Sequence, residues 1–118
     1  MSDNTPQAVQ SCHELIQWLI PQLDKLPRLR RFTLGERLEG ALLDVLELLL
    51  EAAYTRAKQP ALQRANLRLE LARHLWRLAH ELQAVSTRRY AHGAGLMDDL
   101  GRQIGGWLRG SRAGGEVP

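Results

Sequence analysis

Leu15, Ile16, Leu19, Ile20, Leu23 and Leu26 recur at steps of three and four residues, the spacing that places side chains on one face of an α-helix. Pro21 lies within that pattern and removes a backbone donor, which predicts a kink or an irregular turn, and Pro27 ends the helix. The next residues, Arg28 to Phe32, read as a short basic connection. Thr33-Leu34-Gly35-Glu36 has the form of a capping box, with Phe32 as a hydrophobic staple, so a second helix is predicted to begin there. Its buried stripe would be Leu38, Ala41, Leu42, Val45, Leu46, Leu49, Ala52 and Ala53, and it would run to about Lys58. Pro60 suits the first turn of a third helix, whose stripe is Ala65, Leu69, Ala72, Leu75, Trp76, Leu78, Ala79 and Leu82. Residues 86–93 break the period and read as a connection. Leu96, Met97, Leu100, Ile104, Trp107 and Leu108 then give a fourth helix its apolar face.

Four amphipathic segments without strand-like alternation predict an all-α fold, an antiparallel up-down four-helix bundle. The domain is expected over residues 11–110, with flexible tails at 1–10 and 111–118. At 118 residues the chain has material for one core, and with 44% hydrophobic but only 5% aromatic residues that core must be chiefly leucine and alanine. Cys12 is the only cysteine, which rules out an intramolecular disulfide and agrees with a reducing compartment. No export signal and no apolar run of about 20 residues is visible, so a soluble, cytoplasmic protein without a membrane role is expected.

Charge changes the picture. Only Lys25 and Lys58 among the 16 basic residues are lysines; residues 1–52 carry a formal charge of −3 and residues 53–118 one of +6. Arginine's planar, permanently charged fork suits phosphate and carboxylate, so the bias points to nucleic acid or an acidic partner, with salt bridging inside the protein as the competing reading.

Catalytic chemistry finds little support. A di-metal carboxylate bundle would need Glu-x-x-His pairs on two helices, and these are missing; Glu70 with His74 and His80 with Glu81 complete no metal motif. Cys12 and His13 are adjacent on a helix and point about 100° apart, so they make a poor nucleophile and base. No glycine-rich phosphate loop or nucleophile elbow occurs. A non-enzymatic protein with no metal and no cofactor is expected. Trp18, Trp76 and Trp107 occupy apolar registers and read as core rather than base-stacking platforms. Gly101 and Gly105 imply a close helix approach or a subunit contact.

The arginines divide by position. Arg64 and Arg68 lie in the apolar arc of the third helix near the expected end of the second, and are assigned structural ion pairs with Glu47 or Glu51. Arg73 and Arg77 lie on the polar arc, where Glu70 and Glu81 could engage them, so solvated-face and ligand-binding readings both stand. Arg28, Arg30 and Arg31 in the first connection, Arg88 and Arg89 in the last, and Arg109 and Arg112 near the end have no obvious local acid. These, with Arg73 and Arg77, are the candidates for nucleic-acid contact.

Arg31-Phe32-Thr33-Leu34-Gly35-Glu36-Arg37-Leu38 after Lys25-Leu26-Pro27, the run from Asn66 to Ala79, and Ile104-Gly105-Gly106-Trp107-Leu108 together resemble the four-helix-bundle family of accessory variability determinant (Avd) proteins of diversity-generating retroelements. The same family includes proteins encoded in intervening sequences of 23S ribosomal RNA genes. The resemblance covers roughly His13 to Arg112. It implies a homopentameric barrel of bundles whose basic surface associates with RNA or DNA and, in the retroelement branch, with a reverse transcriptase. The intervening-sequence branch would instead suggest an oligomeric protein-interaction scaffold without a nucleic-acid role.

Overall fold

The computed structural model describes residues 6–115, and the side chains of residues 6–111. Helix α1 is Gln7–Asp24. Helix α2 covers residues 28–54 and is built from α-helical Arg28–Arg30, a π-helical stretch Arg31–Gly35 and α-helical Glu36–Tyr54. Helix α3 is Lys58–Glu81 and helix α4 is Thr87–Gly115. No strand occurs among the described residues, and the all-α, four-helix expectation holds. No helix among them is long and apolar enough to cross a membrane.

Boundaries differ from the sequence reading at several helix ends: α2 stops at Tyr54 short of Lys58, α4 runs on to Gly115, and three helix starts shift. Residues 7–10, assigned to the tail, are helical, and Ala8 and Val9 are buried in the core. The second helix does not begin at a capping box. Pro27 is its N-cap, with the amides of Arg30 and Arg31 donating to the Pro27 carbonyl at 2.8 and 2.9 Å. Thr33 is therefore already inside the helix, and its hydroxyl donates back to the Leu29 carbonyl at 2.9 Å instead of accepting from a following amide. The Glu36 amide reaches back five residues to the Arg31 carbonyl, which is the π-helical step. Phe32 is not a staple but an exposed side chain.

The fourth helix also starts early. Ser86 precedes Thr87 and its Oγ accepts from the Arg89 amide at 3.2 Å, an N-cap bond, so residues 87–93 are helix rather than connection. Just upstream, α3 ends with the Gln83 amide bonded to the His80 carbonyl at 2.9 Å and the Ala84 amide to the Ala79 carbonyl at 2.8 Å. This is a Schellman closure, and it holds Gln83 at φ 61°, a position usually filled by glycine.

The core is aliphatic with a single large ring at its centre. Leucines of α1, α2 and α3, with Met97, Leu100 and Ile104 of α4, surround fully buried Trp76. Helix α2 packs on α1 and α3, and α4 packs on α1 and α3. The pairs Glu51 with Arg64 and Asp44 with Arg68 join falling numbers on α2 to rising numbers on α3.

Among the described glycines of α4, Gly93 is packed most tightly against neighbouring helices. A Cβ there would lie 2.6 Å from the Trp76 indole nitrogen and 3.0 Å from Trp18, whereas one at Gly95 would meet nothing within 4 Å. Gly93→Ala is expected to destabilise the domain, because the overpacking cost of about 1–3 kcal/mol outweighs the helix gain of up to about 1 kcal/mol. Gly95→Ala should instead stabilise it by roughly 0.5–1 kcal/mol. Urea denaturation of the two variants reads the opposite signs directly.

Candidate nucleic-acid interface

Two helices begin with arginines and with no acidic residue in their first turn: α2 at Arg28 and α4 at Thr87-Arg88-Arg89. Contacts place both starts at one end of the bundle. Arg89 Nε donates to Gln22 Oε1 at 2.8 Å and its Nη2 to the Gln22 carbonyl at 3.0 Å, in the last turn of α1. The π-helical stretch at the start of α2 contacts α1 and α3, with Gly35 facing Leu26. Arg28, Arg30 and Arg31, from the acidic half of the sequence, thereby join Arg88, Arg89 and Lys25.

The electrostatics of this end are unrelieved. Arg28, Arg31 and Arg88 are exposed and Arg30 is half-buried. No carboxylate among the described residues lies within 4 Å of any of these four. A cation in the first turn of a helix also opposes the positive end of the helix dipole, an effect of about 0.3–1 kcal/mol each. A bound anion would relieve both terms. Next to them Leu29 is 78% and Phe32 52% exposed, with the Arg31 guanidinium 5.1 Å from the Phe32 ring centroid. An exposed ring beside free guanidiniums can stack on an unpaired base while the arginines hold the flanking phosphates. Phe32 is the member of the site that sequence reasoning missed; a ring between Arg31 and Thr33, with no apolar period to enter, was the available signal.

The remaining arginines are either engaged by other groups or lie elsewhere. Arg89 has a structural task, since its bonds satisfy the carboxyl end of α1. Arg73 is engaged by Asp98 at 2.6 Å and more loosely by Glu70 at 3.9 Å, and Arg77 by Glu81 at 3.1 Å. Arg109 is exposed and lies roughly 20 residues along α4 from Arg88, about 30 Å at 1.5 Å per residue. The side chain of Arg112 lies outside the described residues. Arg64 pairs with Glu51 at 2.9 Å, whereas Arg68 turns to Asp44 at 3.7 Å and Glu47 has no cation within 4 Å among the described residues. Both pairs are about half exposed, so each adds at most about 1 kcal/mol.

Cys12 is fully buried, and burial pushes its thiol up from the usual 9.0 to about 12. The neighbouring His13 is exposed, so the two do not form a catalytic pair. Because the folded state holds the thiol proton more tightly, stability should be level below pH 9 and fall as pH rises toward 12. Labelling by a thiol reagent at pH 8 should accordingly proceed only at the rate of unfolding; rapid stoichiometric labelling of the native protein would contradict this burial. No group of three or more possible metal ligands occurs among the described residues.

The model of the bAvd-like family matches residues 8–111, from the first buried side chain of α1 to the last described side chain of α4. The chain belongs to the bAvd-like family. The match takes in all four helices and the arginine-bearing end, so that end is part of the bAvd-like domain and not an appendage to it. It bears out the resemblance drawn from residues 31–38, 66–79 and 104–108. Comparison with curated proteins and with solved structures gives no match.

Proposed function

We propose that this bAvd-like protein is a non-enzymatic, cytoplasmic accessory factor that binds RNA or DNA through the arginine-bearing end of its bundle and partners a reverse transcriptase in a diversity-generating retroelement. Its working form is a homo-oligomer, the pentamer implied by its family resemblance, built from antiparallel up-down bundles. The observation that carries the reading is that Arg28, Arg30, Arg31 and Arg88 lie at the same end of the bundle, with no carboxylate within 4 Å of any of them among the described residues. Family membership supports the accessory variability determinant role. The falling-against-rising pairing of Asp44 and Glu51 with Arg68 and Arg64 supports the up-down arrangement. In a ring each arginine is repeated, so a modest net charge per chain becomes a concentrated basic surface.

A second reading, an oligomeric protein-interaction scaffold of the intervening-sequence type, is favoured by one observation: the outer surface of α2 and α3 exposes Leu43, Leu50, Leu67, Leu78 and Leu82. Titration with labelled single- and double-stranded RNA and DNA at low and moderate salt separates the two. The first reading expects binding that weakens steeply with salt. Absence of binding at low salt leaves the scaffold.

A further inference from the structure

The start of α2 carries two pairs of side chains at helical spacing. Arg28 and Arg31 are three residues apart, as are Leu29 and Phe32, so each pair shares a face and the two faces adjoin. The Arg31 guanidinium lies over the Phe32 ring, a cation–π contact that leaves the ring half exposed. Leu29 is more exposed still, and neither apolar side chain belongs to the core or to the residues packed against it.

The π-helical turn is what displays them. Counted back from buried Leu38 by seven residues, two turns of an α-helix, Arg31 would fall in line with the core. The extra residue in the turn closed by the Glu36 amide and the Arg31 carbonyl moves Arg30 onto that line instead. Arg30 is accordingly half-buried, whereas Arg31 and Phe32 face solvent. A π turn gives up regular α-helical bonding, and such turns recur at functional sites. Here it turns outward a ring and a guanidinium that add nothing to the core.

The two faces select for different parts of a ligand. Guanidiniums without a carboxylate within 4 Å among the described residues suit phosphates, which are accessible on paired and unpaired strands alike. The ring discriminates. In a duplex each base face is covered by its neighbours, whereas an unpaired base offers a free face on which an aromatic side chain can stack. Such stacking tolerates any sequence, because every base has that face.

We propose that Phe32 is a base-stacking residue that directs this end of the bundle to unpaired strands, RNA or DNA, in preference to duplexes. A base rests on the open side of the ring with Leu29 beside it, while Arg28 and Arg31 hold the flanking phosphates. The inference rests on the nucleic-acid part of the proposed function and adds the class of strand to it.

Fluorescence anisotropy tests it on the full chain with a labelled single strand of mixed sequence, as RNA and as DNA, and with the corresponding duplexes. The wild type should hold the single strands more tightly than the duplexes. Phe32→Ala should weaken single-strand binding about 5- to 150-fold, the loss of one stacked base, and leave duplex affinity and the salt slope unchanged. The loss should be equal on RNA and DNA, since the ring meets a base and not the sugar. Phe32→Trp should restore binding. Because Phe32 is at the surface, circular dichroism melts and light scattering should give the same Tm and mass for all three proteins. Single-strand binding that Phe32→Ala leaves intact, or a loss equal on single strands and duplexes, would overturn the inference while the arginine reading stands. A change of mass on Phe32→Ala would overturn it too, because the ring would then belong to a subunit contact. So would Phe32-dependent binding of polyglutamate, a ligand without bases. A wild type that binds no strand even at low salt would strike the proposed function itself, and this inference with it.

Discussion

Trp76→Ala is expected to cost the domain about 3–5 kcal/mol, the range for removing a large ring from a packed core. Trp76 is fully buried and is the largest side chain in the core. It meets Trp18 of α1 edge to face at 6.2 Å, fills the space opened by Gly93 of α4, and donates its Nε1 hydrogen to the Tyr90 carbonyl at 2.9 Å. One side chain on α3 thus ties together three helices, and no neighbour is large enough to collapse into its place in a core otherwise made chiefly of leucine, alanine and valine. Against a total stability of about 5–15 kcal/mol for a domain, the loss should lower Tm on the order of 15–30 °C. Trp76→Phe keeps most of the volume and should cost less, chiefly the missing bond to Tyr90, about 1–2 kcal/mol. Trp107→Ala should cost less than Trp76→Ala, since Trp107 is half-buried. Equal losses at Trp76 and Trp107 in urea melts would contradict this placement of the core.

Replacing Arg28, Arg30, Arg31 and Arg88 together by alanine is expected to have the other large effect, on binding rather than on folding. Surface changes away from caps and buried pairs move stability by no more than about 0.5 kcal/mol each, and none of the four has an ion-pair partner to strand among the described residues. Relief from the dipole at two helix starts could even raise Tm slightly. For nucleic acid the loss should be on the order of 100-fold at low salt and uniform across sequences, because phosphate contacts carry no sequence information. Arg64→Ala with Arg68→Ala serves as a charge-matched comparison for half the set, and should leave binding nearly unchanged because both guanidiniums face Glu51 and Asp44.

Helix count, most of each apolar stripe and the core role of Trp76 were legible in the sequence because the 3.6-residue period of leucine and alanine is a strong signal over long segments. Leu78 and Leu82, read into the third stripe, are instead exposed at the end of α3. Helix starts were less so. Thr33 and Glu36 have capping-box spacing, but Pro27 caps the helix six residues earlier and leaves Thr33 to bond backward. At residues 86–93, the run of polar residues ending in Gly93 hides a helix whose reason is tertiary: Gly93 is where two indoles rest. The same limit applies to the arginines. Sequence spacing could place Arg77 with Glu81 on one helix, but Arg73 with Asp98, Arg89 with Gln22, and the placing of Arg28 to Arg31 at the same end as Arg88 depend on which helix ends are neighbours. Glu47 shows the converse, an acid on the expected face whose neighbour Asp44 takes the arginine instead.

The salt dependence of binding tests the central claim most directly. Fluorescence anisotropy with a labelled single-stranded RNA, for the wild type and for the four-arginine alanine variant over about 50 to 200 mM salt, gives the slope of log affinity against log salt. If the arginine-bearing end holds phosphates, the variant's slope should be shallower by about 0.7 for each phosphate it no longer neutralises, close to about 3 for all four. Wild-type and variant slopes that coincide, with equal affinities, would contradict it.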